Sequence, residues 1–263
     1  MAGRFAGKTI LVTGASAGIG LAAARAFVRE GGRVLALARS RERLEALAAE
    51  AGGPDKLVPI QADVSDPAAM DAVTERILRE HGPPDVIVAN AGIGLDALFW
   101  ETPDRELRRV FEVNVFGAAR TVRPFLREMI ARGSGRVLLI SSVLGKRGVP
   151  HTSAYSASKF ALHGFADALR SELVGTGVSV GLVCPSTTES EFSARLTRIG
   201  PRQKRTRVAS HSAESVARAI LRMARSRRRE IVLSPEGKLL VWLNALAPRL
   251  LDRIIARALL TRH

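Results

Sequence analysis

Short apolar, β-branched runs alternate with longer stretches of helical periodicity from residue 8 to about residue 233. The runs KTILVT, RVLALA, KLVPIQ, DVIVAN, GRVLLIS, VSVGLVC and EIVL read as strands. Between them the spacing predicts helices near residues 18–31, 41–51, 66–80, 103–131, 152–174 and 212–226. Some open with a proline just inside the start, as at Asp66-Pro67 and Thr102-Pro103, where the missing N–H costs nothing. Strands and helices in strict alternation predict a single α/β domain, a doubly wound parallel sheet of about seven strands with helices on both faces. No repeat, low-complexity tract or internal boundary interrupts residues 1–235.

Residues 236–263 carry a different pattern, KLLVWLNALAP followed by RLLDRIIARALLTRH. Leu250, Leu251, Ile254, Ile255, Ala258 and Leu259 recur at helical spacing, with Arg249, Asp252, Arg253 and Arg257 on the opposite face. This C-terminal amphipathic extension is too interrupted to span a bilayer. It either packs on a pocket or another subunit, or lies on an anionic membrane surface.

At 263 residues with 46% apolar content, the chain has ample material for one core. Cys184 is the only cysteine, so an intramolecular disulfide is excluded, and no metal-ligand spacing surrounds it. The first apolar run passes straight into a glycine turn, which predicts neither a signal peptide nor a spanning helix and suits a cytoplasmic setting. The formal net charge of +15 attracts anions of any kind. Its densest clusters are Arg202, Lys204, Arg205 and Arg207, then Arg222, Arg225, Arg227, Arg228 and Arg229. Neither is interleaved with aromatics, so solvated faces are expected and no nucleic-acid partner.

The stretch TGASAGIG joins the first strand to the first helix. Gly14, Gly18 and Gly20 permit a tight turn whose N–H groups, at a helix N-terminus, suit a pyrophosphate. Some 20 residues on, an acid would hold the ribose 2′-OH of NAD, whereas an arginine accommodates the 2′-phosphate of NADP. The second strand ends in Ala38-Arg39-Ser40-Arg41, with no competing acid. Arg39 offers the fork, Arg41 reads as solvated, and NADP(H) is the expected cofactor.

These residues, with others in order through roughly the first 190, resemble the short-chain dehydrogenase/reductase family. The turn is similar to its TGxxxGIG motif, which also marks Ser16 and Ile19, and Asp63-Val64 stands where the family has an adenine contact. Asn90-Ala91-Gly92 resembles the NAG motif. Asn114 in VNVFG resembles the active-site asparagine, Ser142 ends LLISS, and Tyr155 and Lys159 match YxxxK. The family spacing, 13 positions from Ser142 to Tyr155, is kept. The resemblance implies a Rossmann-type fold, a homodimer or homotetramer, a nicotinamide ribose held by Lys159 and a relay water held by Asn114.

Residue chemistry leads the same way. Tyr155 and Lys159, four apart on a predicted helix, share a face, and a neighbouring ammonium lowers a phenol pKa. Ser142 would hydrogen-bond the substrate oxygen while Tyr155 exchanges its proton, in hydride transfer between nicotinamide and a carbonyl/alcohol substrate. A non-catalytic NADP(H) sensor on the same fold is the alternative. Taken singly, such a Tyr/Lys pair often does no more than cover a helix, and strand-end serines often serve turns.

The pattern departs from the family after VSVGLVC. The chain reads CPSTTESEF, so Pro185 stands but Ser186 replaces the usual glycine, and Thr188 or Ser190 must supply the carboxamide contact. Cys184 is expected as a buried strand residue. Residues 186–211 correspond to the variable substrate loop, basic here through Arg195, Arg198, Arg202, Lys204, Arg205 and Arg207. His151 either lines the pocket or is a surface or capping residue. The apolar C-terminal extension favours a lipophilic alcohol or ketone.

Overall fold

The structure, a computed structural model, describes residues 3–189, 196–200 and 210–259. Seven parallel strands form the main sheet: β1 (Thr9–Thr13), β2 (Arg33–Ala38), β3 (Leu57–Gln61), β4 (Val86–Ala89), β5 (Gly135–Ile140), β6 (Val178–Cys184) and β7 (Glu230–Val232). Their spatial order is β7-β6-β5-β4-β1-β2-β3. The winding reverses between β1 and β4, and such a reversal opens a crevice beyond the carboxyl ends of the strands. The turn after β1, the NAG segment after β4 and Ser142 after β5 all emerge there.

Around the sheet lie α1 (Gly18–Arg29), α2 (Arg41–Ala51), α3 (Pro67–His81), α4 (Asp104–Phe111), α5 (Gly117–Ala131), α6 (Ser153–Glu172) and α7 (Ala213–Ala224). Successive strand residues face opposite sides, which divides the core in two. Ile10 and Val12 pack with Ala23, Phe27, Val216 and Ile220, whereas Leu11 and Ile87 pack with Val122, Phe125 and Leu162. Local chemistry fixes the boundaries. Asp66 accepts a hydrogen bond from the Ala69 N–H at 3.1 Å with Pro67 beginning α3, and Gly82 leaves the helix at φ 68°.

One expected helix, 103–131, is interrupted. A π-helical turn at Glu112–Phe116 separates α4 from α5 and carries Asn114. Such bulges re-aim a side chain that a regular helix would point elsewhere. The extension beyond β7 is two helices, α8 (Pro235–Leu246) and α9 (Pro248–Leu259), with Ser234 capping α8 by accepting the Gly237 N–H at 2.9 Å. Gly237 sits against Val143 so closely that a Cβ there would lie 2.8 Å from Val143 Cγ2. Arg147 binds both helices, donating to Asn244 Oδ1 at 2.9 Å and pairing with Asp252.

Short parallel bridges join Leu95–Asp96 to Thr197–Arg198, and Thr188–Glu189 to His211–Ser212. Arg222, Arg225, Arg227, Arg228 and Arg229 are exposed, as expected of a solvated face. The cluster Arg202 to Arg207, with Ser190 and Arg195, lies outside the described residues. Among the described residues no helix is long and apolar enough to cross a membrane.

Candidate active site

The β1 turn is built from backbone. Gly14 and Gly18 adopt φ of 68° and 53°, and an added Cβ on Gly14 would meet Asn90 Nδ2 at 2.9 Å. A Cβ on Gly20 would fall on the Gly14 carbonyl and 2.6 Å from Asn90 Nδ2. Ala17, the N-cap residue of α1, has no side chain to cap the first N–H groups of the helix. They are therefore available to an anion, which fits a pyrophosphate. Ser16 is half-buried in the turn, and Ile19 packs on the core behind it.

Thr13, which sequence reasoning overlooked, locks the turn to the NAG segment. Its hydroxyl accepts the N–H groups of Asn90 at 3.0 Å and Ala91 at 3.1 Å, while Asn90 Nδ2 donates to the Thr13 carbonyl at 2.9 Å. The signal was a threonine closing the apolar run Ile10–Val12 just before the glycine turn.

At the end of β2, Arg39 is exposed and lies 3.8 Å from Asp63. Asp63 Oδ1 meanwhile accepts both the N–H and the hydroxyl of Ser65, at 2.9 and 2.6 Å. Arg39, Asp63, Ser65, Ile93, Val113 and three arginines of α4 line an open cleft of about 410 Å³. Its size and guanidinium lining fit the adenosine end of a phosphorylated nucleotide. Ser40 precedes α2 without capping it through its side chain, and Val64 is buried beneath Gly117. Arg41 instead reaches along α2 to Glu45 at 2.7 Å.

The other half of the edge consists of buried side chains. Ser142, Lys159 and Asn114 are buried, whereas Tyr155 keeps part of its surface exposed. Lys159 Nζ donates to the Ile140 carbonyl at 2.9 Å and lies 5.7 Å from the centre of the Tyr155 ring. The expected lowering of the phenol pKa is corrected here. Burial pushes Tyr155 up to about 12, against the pull of its hydrogen bond to Ser142. Burial also pushes Lys159 down to about 8. Desolvation by burial sets the direction of both shifts, and the Lys159 ammonium is held by a backbone carbonyl.

Asn114 is held by protein on every side. Its Oδ1 accepts the Ile93 N–H at 2.8 Å, and its Nδ2 donates to the Ile93 carbonyl and to Ser158 Oγ, both at 2.9 Å. Both amide hydrogens are thus committed, and the side chain staples the NAG loop to α6. Gly92 makes room: a Cβ there would lie 3.2 Å from Asn114 Oδ1 and 3.5 Å from Lys159 Nζ.

Beneath Lys159 runs a second network that sequence reasoning missed. Ser141 Oγ is 3.2 Å from the Lys159 carbonyl and 3.1 Å from His163 Nε2. His163 Nδ1 is 3.7 Å from Glu230, which pairs with Lys146 at 2.7 Å. The doubled serine of LLISS was the signal, since neighbours in an extended chain point to opposite sides. Cys184 is buried as expected, its thiol pushed up to about 12 by burial and thus unreactive.

His151 is corrected as well. It is buried in the turn before α6 with φ 65°, its Nδ1 3.5 Å from Asp96 Oδ1, and is therefore not a surface residue. Pro185 is buried and its carbonyl accepts the Val143 N–H at 2.9 Å, tying the departing loop to Ser142. The side chain of Thr188 lies outside the described residues, although its backbone bridges to His211.

A family model described as short chain dehydrogenase matches residues 8–198, spanning every element of this edge. The chain belongs to the short-chain dehydrogenase family. Within it, the chain is 34% identical to the ketoacyl reductase HetN of Nostoc, across 94% of this chain and 88% of that one. It is also 31% identical to the mycobacterial "Probable oxidoreductase EphD" of Mycobacterium tuberculosis over 95% of its length, but spans only 45% of that protein. Among solved structures, a short-chain dehydrogenase/reductase of Burkholderia phymatum in complex with NAD superposes with TM-score 0.83 at 25% identity, covering 94% of this chain and 96% of that one. A metagenomic short-chain oxidoreductase in complex with NADP gives 0.74 at 30% identity, covering 88% and 98%.

Proposed function

We propose that the chain is an NADP(H)-dependent oxidoreductase of carbonyl/alcohol substrates, with Tyr155 as its acid/base. One observation carries this reading: a phenol that keeps its proton at neutral pH, hydrogen-bonded to Ser142, stands on the same sheet edge as a glycine turn suited to pyrophosphate. The nucleotide, when bound, would supply or accept the hydride. In the reductive direction Tyr155 gives its proton to the substrate oxygen while Ser142 hydrogen-bonds that oxygen. Lys159, still an ammonium at pH 7, lies close enough to favour the phenolate left behind.

Gly14, Ser16, Gly18, Ile19 and Gly20 would hold the pyrophosphate, Asp63 and Val64 the adenine, Asn90, Ala91, Gly92 and Lys159 the ribose side, and Pro185 and Thr188 the carboxamide. Because relatives of this fold bind either nucleotide, the preference for NADP rests on Arg39 and Ser40. A sensor without catalysis would have no need of Ser142, Tyr155 and Lys159 together. The apolar α8, packed against Val143 next to Ser142, supports a lipophilic substrate. An apolar cleft of about 500 Å³ between α4 and α6, with exposed Phe99 and Phe116, supports a second copy as partner.

The test is NADPH consumption with a panel of ketones, aldehydes and quinones. Tyr155→Phe should lower turnover on any active substrate by about 10²- to 10⁴-fold while NADPH binding stays intact. Turnover equal to wild type in that variant would overturn the reading.

A further inference from the structure

The C-terminal helices turn only part of their apolar surface inward. Leu251 and Ile255 of α9 are buried, Gly237 seats α8 on Val143, and Arg147 fixes both helices. Leu239, Trp242, Leu246, Leu250 and Ile254 are each more than half exposed, Trp242 at 60%. Spaced i, i+3 and i+7 on α8, and i and i+4 on α9, they form a continuous outward strip on each helix. Around it stand Lys238, Arg249, Arg253 and Arg257, all exposed. The one apolar stripe expected on α9 is thus divided, Leu251 and Ile255 facing the protein, Leu250 and Ile254 facing out beside arginines.

Two coverings are physically distinct. A second copy meeting this patch about a two-fold axis would bring two basic patches together, with only Glu236 and Asp252 as exposed acids on these helices to relieve the repulsion. A bilayer with anionic headgroups accepts all the parts at once: aliphatic side chains at the acyl boundary, an indole at headgroup level and guanidinium groups on phosphate. The chain's net charge of +15 adds attraction of the same sign. We propose that the outward face of α8 and α9 docks on an anionic membrane surface, Trp242, Leu246, Leu250 and Ile254 entering the interface and Arg253 and Arg257 binding headgroups. Docking of this kind is independent of the chemistry at Tyr155.

Trp100→Phe leaves Trp242 as the only reporter, since the chain has two tryptophans. This protein should co-sediment with phosphatidylcholine vesicles containing about one part in three phosphatidylserine, with a blue shift of Trp242 emission that salt reverses. Vesicles of phosphatidylcholine alone should bind far less. Arg253→Glu with Arg257→Glu should weaken partition by roughly thirtyfold or more, and Leu246→Ser with Ile254→Ser should remove the blue shift. Unchanged melting and NADPH binding establish that the variants fold. No binding to the anionic vesicles, or binding indifferent to charge reversal, would overturn the proposal. So would a blue shift driven by protein concentration without vesicles, which would assign the face to a second copy.

Discussion

At the carboxyl ends of β1 and β2 the chain presents main-chain groups and one exposed arginine; at the end of β5 and on α6 it presents hydroxyl and amine side chains packed into the core. The first region works by what its residues lack, since Gly14 and Gly20 leave space for Asn90 and for each other. The second works by what its residues carry, and burial tunes them: the Tyr155 phenol is held neutral and the Lys159 ammonium is held close to losing its proton. A turn of missing side chains therefore tolerates no addition, whereas the buried cluster tolerates isosteric exchange and loses chemistry before structure.

The largest effect that separates the two is expected at Gly20. In Gly20→Ala the new methyl meets backbone at Gly14 and lies 2.6 Å from Asn90 Nδ2, so the turn must shift. The expected cost is about 1–3 kcal/mol of stability, seen as a lower melting temperature. NADPH affinity measured by fluorescence titration should fall by at least about tenfold. Tyr155→Phe should do neither. A Gly20→Ala protein that binds NADPH like wild type would mean that the turn is not the nucleotide site.

The same contrast explains what was legible in the sequence. The strands and most helix boundaries follow from apolar runs and from caps such as Asp66 and Ser234, because these signals are local. The glycine turn and YxxxK are likewise contiguous. The break at Glu112–Phe116 was not legible: VNVF is consistent with a regular helix, and the π turn follows from Asn114 bonding Ile93 and Ser158, residues distant in sequence. Thr13, Ser141 and His163 were hidden for the same reason, their roles being defined by partners 18 or more positions away. The sign of the Tyr155 shift is set by burial, and spacing alone does not give that.

That sign can be tested through stability. Lys159 titrates near 8 when folded and near 10.5 when unfolded, so between those values the unfolded chain holds the extra proton. Stability contributed by this group therefore rises as pH increases from about 8 to about 10.5, and is lost as pH falls through 8. Subtracting the melting temperature of Lys159→Met from that of wild type cancels the titration of other groups. The difference should move in favour of wild type as pH rises from 8 to 10. A constant difference would place the ammonium in a solvated setting and remove the distinction between the buried cluster and the open turn.

The smallest effects lie on the open side, and they discriminate between two arginines set two residues apart. Arg39 lines the cleft and its nearest acid, Asp63, is 3.8 Å away, so the guanidinium is loosely held and can turn to a phosphate. Arg41 is drawn along α2 by Glu45 at 2.7 Å and is exposed to solvent. Arg39→Asp should shift the NADPH-to-NADH affinity ratio toward NADH by roughly tenfold to hundredfold, the worth of a hydrogen bond to a charged group. Arg41→Ala should leave both the ratio and the melting temperature at wild-type values, since exposed pairs within a helix contribute little. Isothermal titration with both nucleotides reads the two variants side by side. If Arg41 moves the ratio and Arg39 does not, the 2′-phosphate sits beside Arg41 at the start of α2, and the cleft lined by Arg39 and Asp63 has another occupant.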